Sequence, residues 1–507
     1  MTSQAATLPP IPAAYDWDNL RTYGKDAIDY VADYHGALAR RELPVTTPAL
    51  KPGFLVNAMP KFAPEQGSEW STVMDTIHKH VTPGMAHWQH PDFYAFFPSM
   101  VSPPALVADM LASSYGTPGF TWAAGPSATE MEVVVMNWLA AAFGLPADVY
   151  TWQGTGGGVL QPTATEAAIV AMVAAREKAT KSHSLRGSST STSATRGGAA
   201  AYVVYYSDQA HFCVEKAARV LGIAHRRVVR SVYDADNDNH SMDAVELERL
   251  IKEDLAAGLC PIFVSANYGA TGTCATDDLP VIARICRAHQ LWFNVDGAYA
   301  GVTAMCPELR PAMQGIEEAD SILINGSKWF SLMFNNTFFF FRDKQYIAAS
   351  LNASGIFLKN DASDKGTVVD LKDYHLGLGR PFRALKVFAT ITMFGLEGLR
   401  AVLRRHIILA RDYLVPTLKL LAPALTVRKP KFGLVCFHAE SDLVTQRLLD
   451  LLNQSGIYVV PTMSNHRLHV RCSLAHPRLG VADMTRLAGL VALKLRDAHS
   501  VGGMAKL

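Results

Sequence analysis

The chain has 507 residues, with 47 Lys+Arg against 45 Asp+Glu, a formal net charge of +2, 49% hydrophobic and 18% charged residues. So balanced a charge excludes a nucleic-acid binder, which needs a basic surplus against phosphates, and so much apolar character excludes a disordered chain. At about 150 residues per domain the length predicts three domains or one large layered unit.

Residues 1–17 are Pro- and Ala-rich and read as extended. From Asp18 to Arg41, Leu20, Ile28, Val31 and Leu38 recur at helical spacing among charges, and a second helix is predicted over Trp70–His80. The aromatic, Pro-punctuated HPDFYAFFPSM that follows reads as a shaped loop. The longest apolar stretch, Val133–Leu145, is too short to cross a membrane and is broken by Asn137. Strands are predicted at Ala201–Tyr206, Pro261–Ser265, Leu291–Val295, Ser321–Ile324 and Thr337–Phe341, with helices over Met242–Ala257 and Leu279–His289. Such alternation implies an α/β fold with a mostly parallel sheet. The four-Phe run Phe338–Phe341 reads as a strand buried on both faces. Residues 182–199 form a Ser/Thr/Gly insert expected to be a surface loop. Beyond about residue 386, a long helical region to Leu421 precedes a small α+β domain: strand 432–438, helix 442–454, strands 456–461 and 467–472, helix 482–497. The expected division is 1–102 as a helical arm, 103–385 as the large domain and 386–507 as the small domain.

The seven cysteines, Cys213, Cys260, Cys274, Cys286, Cys306, Cys436 and Cys472, are scattered and form no CxxC pair. Neither a metal site nor a disulfide framework is indicated, and a reducing compartment, the cytoplasm, is expected. The N-terminus lacks the basic start and apolar stretch of a secretory signal. The chain ends Ala505-Lys506-Leu507, a variant of the Ser-Lys-Leu peroxisomal address.

Three places carry candidate chemistry. Asp296 ends an apolar strand and precedes small residues, the position that borders a ligand crevice in a parallel sheet; capping the next helix is the alternative role. Lys328 follows another apolar strand and is flanked by apolar residues, where desolvation would turn a lysine into an amine nucleophile. A carboxylate for a pyridinium nitrogen and a lysine for a Schiff base are together what pyridoxal phosphate requires. Its phosphate needs a cradle, for which Gly154–Gly158, Thr163, Ala164 and Thr165 before a helix over 167–178 are suited. His211, just after strand 201–206, is placed to stack on a ring or to serve the fold.

The strings HPDFYAFFPS, FTWAAGPSATEMEVVVMNWL, GGGVLQPTATEA, SDQAH, NVDGAYAG, NGSKWF and GRPFRALK, in this order, resemble the aromatic L-amino-acid decarboxylases. These are group II pyridoxal-phosphate enzymes of fold type I. The resemblance runs from about Asp18 to about Lys494 and implies a homodimer with its active site at the subunit interface. It implies that Lys328 bonds the cofactor, Asp296 partners its ring nitrogen, His211 stacks on its ring and Thr271 lies near its phenolic oxygen. Ala164, Thr165, Ser321 and Asn325 match phosphate-binding positions, and Phe97, Pro98, Ser99 and Phe120 the substrate pocket.

The chain departs from the family pattern in three places. Ser327 replaces a histidine that contributes to the phosphate site, and a hydroxyl there predicts altered cofactor affinity. Pro162 replaces a glycine and removes one N–H donor. Phe357, 29 residues after Lys328 and fixed in register by Phe357-Leu358-Lys359-Asn360, replaces the tyrosine of a mobile loop. A tyrosine hydroxyl can protonate Cα after CO2 leaves, and a phenyl ring cannot. Without that proton, molecular oxygen becomes a co-substrate and the products are an aromatic acetaldehyde, CO2, NH3 and H2O2, as in the aromatic acetaldehyde synthase branch. A plain decarboxylase protonating through water or His211, and a member that has lost its cofactor, are the alternatives. Gly379 occupies a position linked in plant relatives to indolic substrates, which leaves the choice of aromatic amino acid open.

Overall fold

In a computed structural model the structure describes residues 13–47, 50–185, 201–352, 358 and 361–500. The insert from 186 onward, Phe357 and the C-terminal tripeptide lie outside the described residues. The chain separates into two compact units, Met1–Phe93 with Gln454–Tyr458, and Tyr94–Asn453 with Val459–Leu507.

The first unit is helical. Its main element, Asn19–Ala39, buries only Leu38, and Trp17, Leu20 and Ile28 are exposed. The helix Trp70–Thr76 continues into a wider turn, Ile77–Val81.

The second unit is built on a seven-stranded sheet. Its strands are β1 (Gly157–Gln161), β2 (Tyr202–Ser207), β3 (His225–Val229), β6 (Cys260–Asn267), β7 (Trp292–Asp296), β8 (Ser321–Asn325) and β9 (Thr337–Phe341), in the order β1-β9-β8-β7-β6-β2-β3. The pairs β3–β2, β2–β6, β6–β7 and β7–β8 are parallel, and β9 alone runs against its neighbours. A hairpin, β4 (Ser231–Asp234) and β5 (Asn239–Met242), stands apart. The helices Ala164–Leu185, Ala244–Ala256 and Leu279–His289 provide the crossovers that parallel strands require.

Phe338–Phe341 are all fully buried, as a strand covered on both faces demands. Phe338 and Phe340 meet Phe143 on one face, while Phe341 stacks on Tyr374 on the other, at 5.5 Å between centroids. The glycine run was expected to be cradle loop; its second half is instead the buried strand β1. A Cβ on Gly158 would lie 2.6 Å from Met136 Cε and 2.8 Å from the Phe340 ring, so these glycines serve close packing against β9.

The C-terminal part carries a four-stranded antiparallel sheet, β10 (Thr426–Val427), β11 (Leu434–His438), β12 (Val460–Ser464) and β13 (Arg467–Ser473), ordered β10-β11-β13-β12. Asp442–Gln454 and Val481–Ser500 are its helices. The long helical region predicted before it is interrupted: Gly395 takes φ 63 and ψ 166 within Ala384–Ile408, and Leu409–Leu414 is a wider turn. No described helix is long and apolar enough to cross a membrane, and all seven cysteines are free and buried.

Candidate active site

The carboxyl ends of β6, β7 and β8 open onto one pocket. Register places Asn267 opposite Asp296, and both line the cavity with Thr163, Ala164, Thr165, His211, Thr271, Ala298, Asn325 and Lys328. Main-chain bonds tie these ends together: Tyr268 donates to Asp296 O at 2.8 Å, Gly297 to Leu323 O at 3.0 Å and Asn325 to Ala298 O at 3.0 Å. The strands are thereby held in the register that brings Asp296 and Lys328 to one crevice.

Lys328 rides on the single turn Gly326–Trp329, whose first N–H groups are capped by the Asn325 side chain, accepting from Ser327 N at 2.9 Å. Gly326 is required here, since a Cβ would lie 2.5 Å from the Phe338 ring. Burial lowers the Lys328 ammonium below its ordinary value and Asp296 draws it back up. Among the described residues no carboxylate forms an ion pair with it, and its Nζ stands 5.2 Å from the centre of the Phe97 ring. This is a desolvated amine free to act as a nucleophile.

Asp296 accepts from Ala298 N at 3.0 Å. His211 on the neighbouring wall accepts from Cys213 N through Nδ1 at 3.2 Å, which leaves its ring proton on Nε2. Burial first, and Lys328 second, push its pKa down, so the imidazole is neutral. Thr163 starts the helix Ala164–Leu185 with a reciprocal cap, its hydroxyl bonded to Glu166 Oε2 at 2.9 Å and to Glu166 N at 3.2 Å. The first main-chain bond of this helix is Ala167 N to Thr163 O at 3.1 Å, so the N–H groups of Ala164 and Thr165, both lining the cavity, precede it and are of the kind that binds an anion.

Two expectations for the phosphate do not fit the geometry. Ser321 opens β8 at the end opposite Asn325, and its hydroxyl is consumed inside the sheet by Trp292 Nε1 and Asn294 Oδ1, each at 2.8 Å. Ser327 is buried but turned to the following loop, where it accepts from Asn336 N at 3.0 Å and donates to Met333 O at 3.1 Å. Phe97 and Pro98 are buried, and the Phe97 ring stacks on Tyr299 at 3.8 Å. Ser99 donates to Leu332 O at 3.4 Å. Phe120 and Gly379 are not among the residues that line this cavity; main-chain bonds hold their segments, Lys372 N donating to Phe120 O at 3.0 Å and Arg380 N to Pro118 O at 2.6 Å.

Arg471 escaped the sequence reading. It stands in the apolar strand β13, and its guanidinium lies 4.1 Å over Phe97, donating to Thr271 O at 2.9 Å and Phe96 O at 2.6 Å. An arginine amid Leu468, Val470 and Cys472 was the available signal. Asn267, Gly269, Ala270 and Ala298 were also missed; Gly269 holds φ +86, which a side chain rarely adopts.

A buried amine, a strand-end carboxylate, an aromatic wall and a helix N-terminus in one pocket fit the four needs of pyridoxal phosphate. Residues 52–440 match the pyridoxal-dependent decarboxylase conserved domain. The chain belongs to that family. It is 36% identical to a 3,4-dihydroxyphenylacetaldehyde synthase of Drosophila melanogaster, over 97% of this chain and 96% of the relative. It is 34% identical to the aromatic-L-amino-acid decarboxylase of Bos taurus, over 93% and 96%. The crystal structure of Oryza sativa TDC with PLP and tryptamine superposes with a TM-score of 0.89 at 32% identity, covering 97% of this chain and 99% of that one. This pyridoxal-dependent decarboxylase therefore sits among aromatic amino-acid enzymes that include both amine-forming decarboxylases and aldehyde synthases.

Proposed function

We propose that this enzyme decarboxylates an aromatic L-amino acid and carries the product on to the aldehyde. The balanced reaction takes amino acid, O2 and H2O to aromatic acetaldehyde, CO2, NH3 and H2O2. Bound pyridoxal phosphate supplies an electron sink for the pair left at Cα when CO2 departs. Lys328 is assigned the covalent hold on the cofactor and Asp296 the ring nitrogen. Thr163, Ala164, Thr165 and Asn325 are assigned the phosphate, and Thr271 and His211 the ring.

The single observation that carries the reading is Phe357, where the family resemblance places a tyrosine. A phenyl ring has no proton to deliver to Cα. The neutral His211 carries its one ring proton on Nε2, and a neutral imidazole N–H is too weak an acid to deliver it. Both features favour loss of the electron pair to oxygen over protonation. Phe97, Pro98 and Ser99, with Phe120 and Gly379, are assigned to the substrate side chain.

Purified enzyme incubated under air with each aromatic amino acid should release aldehyde and peroxide in equal amounts. Amine without peroxide would overturn the assignment in favour of a plain decarboxylase. A homodimer is part of the same proposal, supported by the exposed apolar side chains of the first unit, among them Tyr15 and Trp17, each 75% exposed. Sedimentation velocity of the full chain tests it, a monomer being the contrary result.

A further inference from the structure

Cys213 touches two of the groups assigned to the cofactor ring, His211 and Asp296. It opens the helix Cys213–Val220, and its main-chain N–H is the donor to His211 Nδ1 at 3.2 Å. Its thiol lies 3.8 Å from Asp296 Oδ2, while the other carboxylate oxygen takes the Ala298 N–H at 3.0 Å. Asp296 is thus held at both oxygens, and one of the two holds is a sulfur.

We infer that Cys213 is a positioning residue that fixes the orientation of Asp296 against the ring nitrogen. A carboxylate bonded at one oxygen only is loose, because the terminal torsion of an aspartate is broad and roughly two-fold. A second donor at Oδ2 removes that freedom. The thiol is fully buried, and burial followed by the nearby Asp296 raises its pKa, so it keeps its proton and remains a donor. The charged and titratable groups around it are Asp296, Lys328 and His211, with Arg471 and Cys274 beyond Lys328. S–H is a weak donor, so the contribution is orientation of the carboxylate more than a change in its charge. The same residue anchors His211 through its backbone, which couples two walls of the pocket at one helix start.

The inference rests on cofactor binding and is independent of whether amine or aldehyde leaves, so product analysis of the wild type can fail while this stands. The test uses full-length wild type, Cys213→Ser and Cys213→Ala, stripped and reconstituted with pyridoxal phosphate. The dissociation constant and the circular dichroism of the cofactor band per bound cofactor are measured without substrate. Loss of one oriented hydrogen bond should weaken binding by about 3- to 10-fold in Cys213→Ala, with a smaller cofactor dichroism. Cys213→Ser, which keeps a donor, should stay within about 2-fold and recover the dichroism. Wild-type affinity and dichroism in Cys213→Ala would overturn the inference. So would two variants that lose thermal stability alike while the cofactor band is unchanged.

Discussion

The Ser327 hydroxyl and the Asn336 main-chain N–H are bonded at 3.0 Å, and this bond turns the residue beside Lys328 away from the pocket. The hydroxyl continues to Met333 O, so it closes the loop between β8 and β9. Ser327→Ala would leave a buried N–H without its partner. It should cost about 1–3 kcal/mol of stability and change cofactor affinity less than stability. Thermal denaturation of the holoenzyme beside cofactor titration checks the split.

Lys328→Ala removes the only assigned nucleophile and should lower turnover at least about 10³-fold. The same change deletes a cation that burial disfavours, so the melting temperature of the cofactor-free enzyme should not fall. Differential scanning fluorimetry before reconstitution with cofactor and turnover after it separate these two effects.

Glu132 and Arg380 form an ion pair at 2.6 Å with side chains 3% and 2% exposed, and the same carboxylate oxygen accepts Leu160 N at 2.8 Å. It joins Leu160 of β1 to the segment that carries Arg380. Glu132→Ala would strand a buried guanidinium, whose Nε already has no partner, at a cost of about 3–5 kcal/mol. Chemical denaturation measures the loss, and a variant within 1 kcal/mol of wild type (about one surface contact) would refute the pair's structural weight.

Stability should fall as pH drops from about 6.5 toward 4. His406 accepts from Trp329 Nε1 at 2.9 Å and donates to His476 O at 3.0 Å, and burial takes its pKa down to about 4. Unfolded histidine titrates near about 6.5, so within that window the unfolded chain binds the extra proton and stability rises with pH. His375 and His469 are likewise lowered to about 4 and add to the slope. Asp277, raised to about 6 by burial, opposes it. The difference between wild type and His406→Asn is therefore the readout: the slope should lose about one proton. Equal slopes would mean that His406 is not held neutral.

Phe357→Tyr should restore a proton donor and move product from aldehyde to amine, with oxygen uptake falling by about 10²-fold if a general acid of ordinary efficiency is regained. An oxygen electrode and amine quantitation decide it; an unchanged ratio would assign proton control to another group.

Much of this architecture could be read from sequence because the strands bearing Asp296 and Asn325 are apolar on both faces and end abruptly in polar or small residues. Thr337–Phe341 and Leu279–His289 fall where periodicity puts them, since burial pattern and turn signals agree there. β1 was hidden because glycine propensity argues against a strand, and only the Phe340 ring above Gly158 explains it. Ser321 shows a limit of motif matching: its position matches a phosphate site, yet its hydroxyl is committed to Trp292 and Asn294 four residues upstream of Asn325. Arg471 lies 200 residues from the carbonyl of Thr271 that it holds, a relation that no local pattern encodes.

Gly379 has no heavy atom within 4 Å of where a Cβ would stand, in contrast to Gly119 beside it, whose Cβ would press 2.8 Å from Arg380 O. A side chain therefore enters at low steric cost at residue 379 and at high cost at 119. A library at codon 379 would leave the fold above its stability threshold without compensating changes elsewhere, which makes it a direct test of the substrate role proposed for residue 379.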